Sequence, residues 1–267
     1  MAVVTVVDDN AQLAATAALR ITTLVEQAVA ARNRAVLCLT GGRTPEPLYQ
    51  LLADEREPWR ARIDWSRLHV FWGDERHVPP DHPDSNYGMA SRALLSRVPI
   101  PSAHIHRMHG EYPDARAAAR AYEAGLMPFD VMLLGVGEDA HIASIFPGSA
   151  LLHVPVTAVG AGPDGPPLVA AVWVEKLHTW RITVTPAAVL ESRAILVMAA
   201  GPAKAAAIQA ALTLPEDIAT WPAQLLRRAG DRVEWIVDRA AATSSAADWR
   251  KISGGAAAPP RGEPRAQ

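Results

Sequence analysis

Within the segment Leu133-Leu134-Gly135-Val136-Gly137-Glu138-Asp139-Ala140-His141-Ile142-Ala143-Ser144, an apolar run meets two adjacent carboxylates and a histidine. Imidazole is the side chain whose ordinary titration falls near neutral pH, so a histidine in that position is placed for chemistry rather than for packing. The apolar run Val131 to Leu134 predicts a buried strand. Beyond the histidine a short helical start is expected, closed by Pro147-Gly148. In an open α/β sheet the ligand crevice lies just past the carboxyl ends of the strands, which is where His141 would stand. A lone histidine there is more readily a turn residue satisfied by its neighbours. The chemical reading gains force because two further strand-end motifs occur in the chain.

The first is Thr40-Gly41-Gly42-Arg43-Thr44-Pro45. Paired glycines let backbone N–H groups approach an anion, and a helix opening at Pro45 would add unpaired donors and a partial positive charge. It lacks the G-K-[ST] ending of a Walker loop. The second is Trp72-Gly73-Asp74-Glu75-Arg76-His77, where carboxylates suit sugar hydroxyls and the Arg76 fork suits phosphate or carboxylate. Ser85-Asn86-Tyr87 follows as a helix-start cap. A third group collects cations: Lys176-Leu177-His178, Arg181 at a strand start, and Lys204 in the first turn of a helix. A lysine there opposes the helix dipole unless an anion neutralises it. His104, His106 and His109 crowd together, but no acidic or cysteine partner completes a metal-binding spacing. Ser144 is not in a G-x-S-x-G elbow, which argues against a serine hydrolase.

The elements that must hold these motifs alternate along the chain. Strands are expected at Val3 to Val7, Ala35 to Leu39, Leu68 to Trp72, Val131 to Leu134, Val169 to Val174, Arg181 to Val184, Ile195 to Ala199 and Val233 to Val237, the last closing the sheet. Helices are expected from an Asp8 or Asp9 cap to about Asn33, from Pro45, over Asn86 to Ser96 and Asp114 to Gly125, and from near Pro202. This alternation predicts an α/β fold: a single Rossmann-like three-layer domain with a mainly parallel sheet. No G-x-G-x-x-G follows the first strand, so a dinucleotide site is not indicated. The domain is expected over 1–250, with Val159 to Pro167 as a surface loop and 251–267 as a disordered Gly/Ala/Pro/Arg tail.

Composition limits the function. A formal net charge of −2 gives no drive toward nucleic acid or an acidic membrane. One cysteine, Cys38, permits no internal disulfide, and no signal or spanning segment is visible, so a cytoplasmic location is expected. The eight tryptophans are read as core and loop anchors, because no basic stripe accompanies them.

Taken together, L-T-G-G-R-T-P (39–45), F-W-G-D-E-R-H-V-P-P (71–80), S-N-Y (85–87), L-L-G-V-G-E-D-A-H-I-A-S-I-F-P-G (133–148), R-I-T-V-T (181–185) and G-P-A-K-A (201–205) resemble the 6-phosphogluconolactonase family, within a superfamily that includes glucosamine-6-phosphate deaminases. The resemblance covers residues from near 3 to about 240. It departs from the family at Ala140 and Ile142, where glycine and threonine are usual, at Arg43, often serine, and at Glu191, commonly asparagine. It implies hydrolysis of 6-phospho-D-glucono-1,5-lactone with His141 as base and Asp139 or Glu138 orienting it. Arg76 or backbone N–H groups would face the oxyanion. Gly41, Gly42, Arg43, Asp74, Arg181 and Lys204 would bind the substrate. No metal or redox cofactor is implied, and the expected partner is a small sugar phosphate, acting on a monomer or weak homo-oligomer. One rival is a deaminase–isomerase, whose relatives place Asp-Glu-Tyr where this chain has Asp74-Glu75-Arg76. Another is a non-catalytic sugar-phosphate binding module, which would not need His141.

Overall fold

The computed structural model describes residues 3–153 and 166–242. The 251–267 tail, Trp249 and most of the Val159 to Pro167 loop lie outside them. In chain order the regular elements are β1 (Val3–Val7), α1 (Asn10–Arg32), β2 (Ala35–Leu39), α2 (Glu46–Ala53), α3 (Pro58–Arg62), β3 (Leu68–Trp72), β4 (Asp74–Arg76), α4 (Asn86–Ala93), α5 (Ala115–Ala124), β5 (Val131–Gly135), β6 (Val169–Val174), β7 (Thr179–Val184), α6 (Pro186–Glu191), β8 (Ile195–Ala199), α7 (Ala205–Thr213) and β9 (Val233–Asp238). Caps account for several boundaries. Asp9 accepts a hydrogen bond from the Gln12 N–H at the start of α1, and Asn33 ends that helix in the left-handed conformation. Asp114 caps α5. The helix expected over Asn86 to Ser96 stops at Ala93, and a 3-10 turn covers Leu95–Arg97.

Six parallel strands form one sheet in the order β1-β9-β8-β5-β2-β3. Alternate strand residues face opposite cores, as the two-residue strand period requires. Val36, Cys38, Met132, Leu134 and Val197 pack with α5 and α7 on one side. Ala35, Leu37, Leu39, Leu133 and Leu196 pack with α1, α2 and α4 on the other. Both faces are covered, so these strands read as unbroken apolar runs, and the three-layer α/β expectation holds.

The sequence reading needs two corrections to its sheet. Val233 to Val237 does not close it: β9 lies between β1 and β8, and β1 is the edge. Val169 to Val174 and Arg181 to Val184 do not extend it either. With β4 they form a separate antiparallel sheet, β4-β7-β6, in which Asp74 pairs with Thr183 and Arg76 with Arg181. Strands of both kinds carry apolar β-branched residues, and only the pairing distinguishes them.

From β2 the chain leads to β3 on one side, and from β5 to β8 on the other, so the order reverses between β2 and β5. That is the switch point at which open α/β sheets take ligands. The loops following these two neighbouring strands are the Gly-Gly segment and the His141 segment.

Candidate active site

After β5 the chain makes tight turns instead of the expected helical start. The Gly137 N–H donates to the His141 carbonyl at 2.8 Å, and Ala140 and Ala143 adopt φ of 60° and 47°. Ile142 and Ile145 are fully buried beneath the loop and anchor it. The turn presents His141 beside Asp139, with Nδ1 2.5 Å from Asp139 Oδ1. Geometry therefore chooses Asp139 over Glu138 as the carboxylate beside the ring. A charged acceptor on Nδ1 holds the tautomer that leaves Nε2 free to accept a proton. Burial pushes the Asp139 carboxyl up, but Lys176 and His141 outweigh it and hold the group at about 2. Gly137 is required here by space: a Cβ would lie 2.0 Å from His141 Nδ1 and 2.5 Å from Asp139 Oδ1.

The second sheet is tied to this loop. Ser144 Oγ donates to Asp74 Oδ2 at 2.6 Å, and the Ser144 N–H donates to Thr183 Oγ1 at 3.1 Å. Asp74 is buried and also accepts from the Asn86 amide. Lys176, in the turn after β6, donates to Asp139 Oδ2. Thus β4, β6 and β7 brace the histidine loop from above the sheet's carboxyl edge.

Glu75, absent from the sequence-derived site, organises the start of α4. Its buried carboxylate accepts from the N–H groups of Arg76, Asn86 and Tyr87 and from the Ser85 hydroxyl. Burial raises its pKa, while these N–H donors pull the other way. Asn86, thereby fixed, sits so close to Gly41 that a Cβ there would be 1.7 Å from its Oδ1. The Thr40 peptide is clamped by the Tyr49 hydroxyl, which donates to its carbonyl at 2.7 Å and accepts from its N–H at 3.0 Å. Gly42 has φ of +93°, and Arg43 is exposed at the loop tip. The Gly-Gly loop is therefore held in shape before any ligand arrives.

The cations complete the arrangement. Arg76 and Arg181 are partners in the β4–β7 register, which places two guanidinium-bearing residues side by side. Arg76 Nη1 donates to the Asp84 carbonyl at 2.6 Å, but its Nε is buried without a partner. Arg181 Nε and Nη1 are likewise buried without partners. Burial first, and repulsion from Arg76 second, lower the Arg181 pKa. Asp74, Glu75 and Asp84 act in the opposite sense without bonding Nε or Nη1, and donors left unbonded in this way suit an anionic ligand. Lys204, in the Pro202–Lys204 turn ahead of α7, is half-buried and makes no ion pair among the described residues. It stands past the carboxyl end of β8, on the same sheet edge as the other motifs.

No group of three or more His, Cys, Asp or Glu among the described residues is placed to hold a metal ion. The histidine cluster differs from the sequence reading in membership. His69 stacks between His104 and His106, with ring centroids 4.0 Å and 5.4 Å away, whereas His109 stacks on Tyr112. No helix among the described residues is long and apolar enough to cross a membrane.

The class of protein that fold and site define is a parallel α/β sheet with a His–Asp pair at its switch point, braced by a small antiparallel sheet that carries two arginines. Comparison with known proteins gives the family. The family model for glucosamine-6-phosphate isomerases/6-phosphogluconolactonase matches residues 8–235. The chain belongs to that family. It is 36% identical over 233 residues to a 6-phosphogluconolactonase of Synechocystis, covering 83% of this chain and 89% of the relative. The solved structure of 6-phosphogluconolactonase from Trypanosoma brucei superposes with a TM-score of 0.77 at 29% identity, covering 92% of this chain and 99% of that one. A monomeric glucosamine-6-phosphate deaminase shares the fold at a TM-score of 0.75 and 21% identity, over 90% of this chain and 99% of its own.

Proposed function

We propose that the chain hydrolyses 6-phospho-D-glucono-1,5-lactone to 6-phosphogluconate. The observation that carries this reading is the Asp139–His141 pair at the switch point, braced by the small sheet that carries Arg76 and Arg181. Relatives named as 6-phosphogluconolactonases support it.

In this mechanism His141 Nε2 takes a proton from water as the water oxygen adds to the lactone carbonyl carbon. Asp139 stabilises the imidazolium that forms. The carbonyl oxygen gains the negative charge of a tetrahedral intermediate, which Arg76 or backbone N–H groups of the strand-end loops neutralise. Collapse breaks the bond between that carbon and the ring oxygen, and the imidazolium returns its proton to the departing oxygen. The product is an open-chain acid with a free hydroxyl, and the base is regenerated. The phosphate is assigned to Gly41, Gly42 and Arg43 with Arg181 and Lys204, while Asp74 supports the site through Ser144 and Asn86. A lactone is already an activated ester, so these steps require no redox cofactor.

The test is lactone opening, with substrate generated in place by glucose-6-phosphate dehydrogenase and the spontaneous rate subtracted. Wild type should accelerate opening, and His141→Ala should lower kcat by about 10²–10⁴ with phosphosugar affinity retained. Unchanged turnover in the variant would remove His141 from the mechanism. Binding without any acceleration by wild type would leave only a binding module.

A further inference from the structure

Lys176, grouped in the sequence with Arg181 and Lys204, reaches the His141 loop from the turn after β6. Its ammonium donates to Asp139 Oδ2 while the other oxygen of that carboxylate faces His141 Nδ1. The same ammonium lies 4.6 Å from the centroid of the Phe146 ring, which in turn lies 4.4 Å from that of His141. Asp139 and Phe146 thus both contact His141 directly, and Lys176 touches both. The side chain is about half exposed, and an exposed ion pair contributes little to stability. Its geometry points instead to function.

We propose that Lys176 is a positioning residue for the base, acting through Asp139 and Phe146. It holds the carboxylate in the orientation that presents Oδ1 to the ring. The charged groups facing the ring are Asp139 from its own loop and, through that carboxylate, Lys176 from the second sheet. This assignment rests on the reading of His141 as general base.

The variant Lys176→Met keeps an apolar stem on Phe146 and removes the charge. It should lower kcat about tenfold with KM within about twofold, and Lys176→Arg should recover most of the loss. In a His141→Ala background the same substitution should change kcat by less than about twofold, since a residue acting through the base has nothing left to act on. An equal loss in both backgrounds, a rise in KM with kcat kept, or no recovery in Lys176→Arg would each overturn the proposal. Full turnover by His141→Ala alone would instead sink the base reading, whatever Lys176 does.

Discussion

Arg181 keeps donors that the fold does not use. Two of its nitrogens are buried without acceptors, and its register partner Arg76 repels it. A charged hydrogen bond is worth about 1.5–3 kcal/mol, so an arriving phosphate would recover at Arg181 what folding gives up. Arg181→Met is expected to raise the unfolding free energy by about 1 kcal/mol, because an apolar chain of similar length fills the space without unpaired donors. The same variant is expected to raise KM roughly tenfold or more with kcat less affected. Urea titration and initial-rate kinetics check the two halves, and a variant both less stable and unimpaired in KM would contradict the argument. At this scale the sequence was informative about residue type and less so about partnership. His141, Asp139, Arg76 and Arg181 stand out as chemical groups at strand ends. That Asp139 and not Glu138 meets the ring follows from a turn with two non-glycine residues at positive φ, Ala140 and Ala143, which no residue type there announces. Lys176 lies 37 positions from Asp139 in sequence, and only the antiparallel sheet brings them together.

Among the elements, the edge strand β3 carries a pH-sensitive feature. His69 projects from it into contact with His104 and His106, its Nδ1 3.1 Å from His106 Nε2, and His106 stacks on Phe71 at 4.3 Å. Burial lowers the pKa of His69, and His104, His106 and Arg34 lower it further; burial and His104 lower that of His106. Both rings are therefore neutral in the fold at a pH where the unfolded chain binds protons. Their contribution is complete above the ordinary histidine value of about 6.5 and is lost as pH falls from there toward the depressed folded values. The urea midpoint is expected to decline between about pH 6.5 and 5, and His69→Phe should make that decline shallower. A variant with the same slope as wild type would assign the acid sensitivity elsewhere. The sequence pattern located strands, helices and their caps to within a few residues, since apolar periodicity and Asp caps are local. The division of strands between two sheets was not legible, because β6 and β7 have the composition of parallel strands and differ only in whom they pair with. The histidine stack was half legible for a related reason: His104 and His106 are near in sequence, while His69 joins them through the packing of the 102–106 segment against β3.

For the whole molecule, the fold is shared by proteins that open a lactone and by one that deaminates an amino sugar, so architecture alone does not decide between them. The residues between the two sheets do. Deamination with isomerisation needs ring opening and a side chain free to carry a proton between adjacent carbons. Asp74, the carboxylate at the relevant strand end, is buried with one oxygen accepting from Ser144 and the other from Asn86. Glu75 is consumed by three backbone N–H groups and a hydroxyl at the start of α4. Neither is free to shuttle a proton, whereas the proposed base, His141, is partly exposed and backed by Asp139. The cations, by contrast, would serve any sugar phosphate. Glucosamine 6-phosphate is therefore expected to compete with the lactone for the site and yet release no ammonia. Competition is read from the lactone assay and ammonia from a coupled glutamate dehydrogenase assay. Ammonia release would mean that Asp74 or Glu75 leaves its internal partners when substrate binds, and it would transfer the chemistry from the histidine loop to the second sheet.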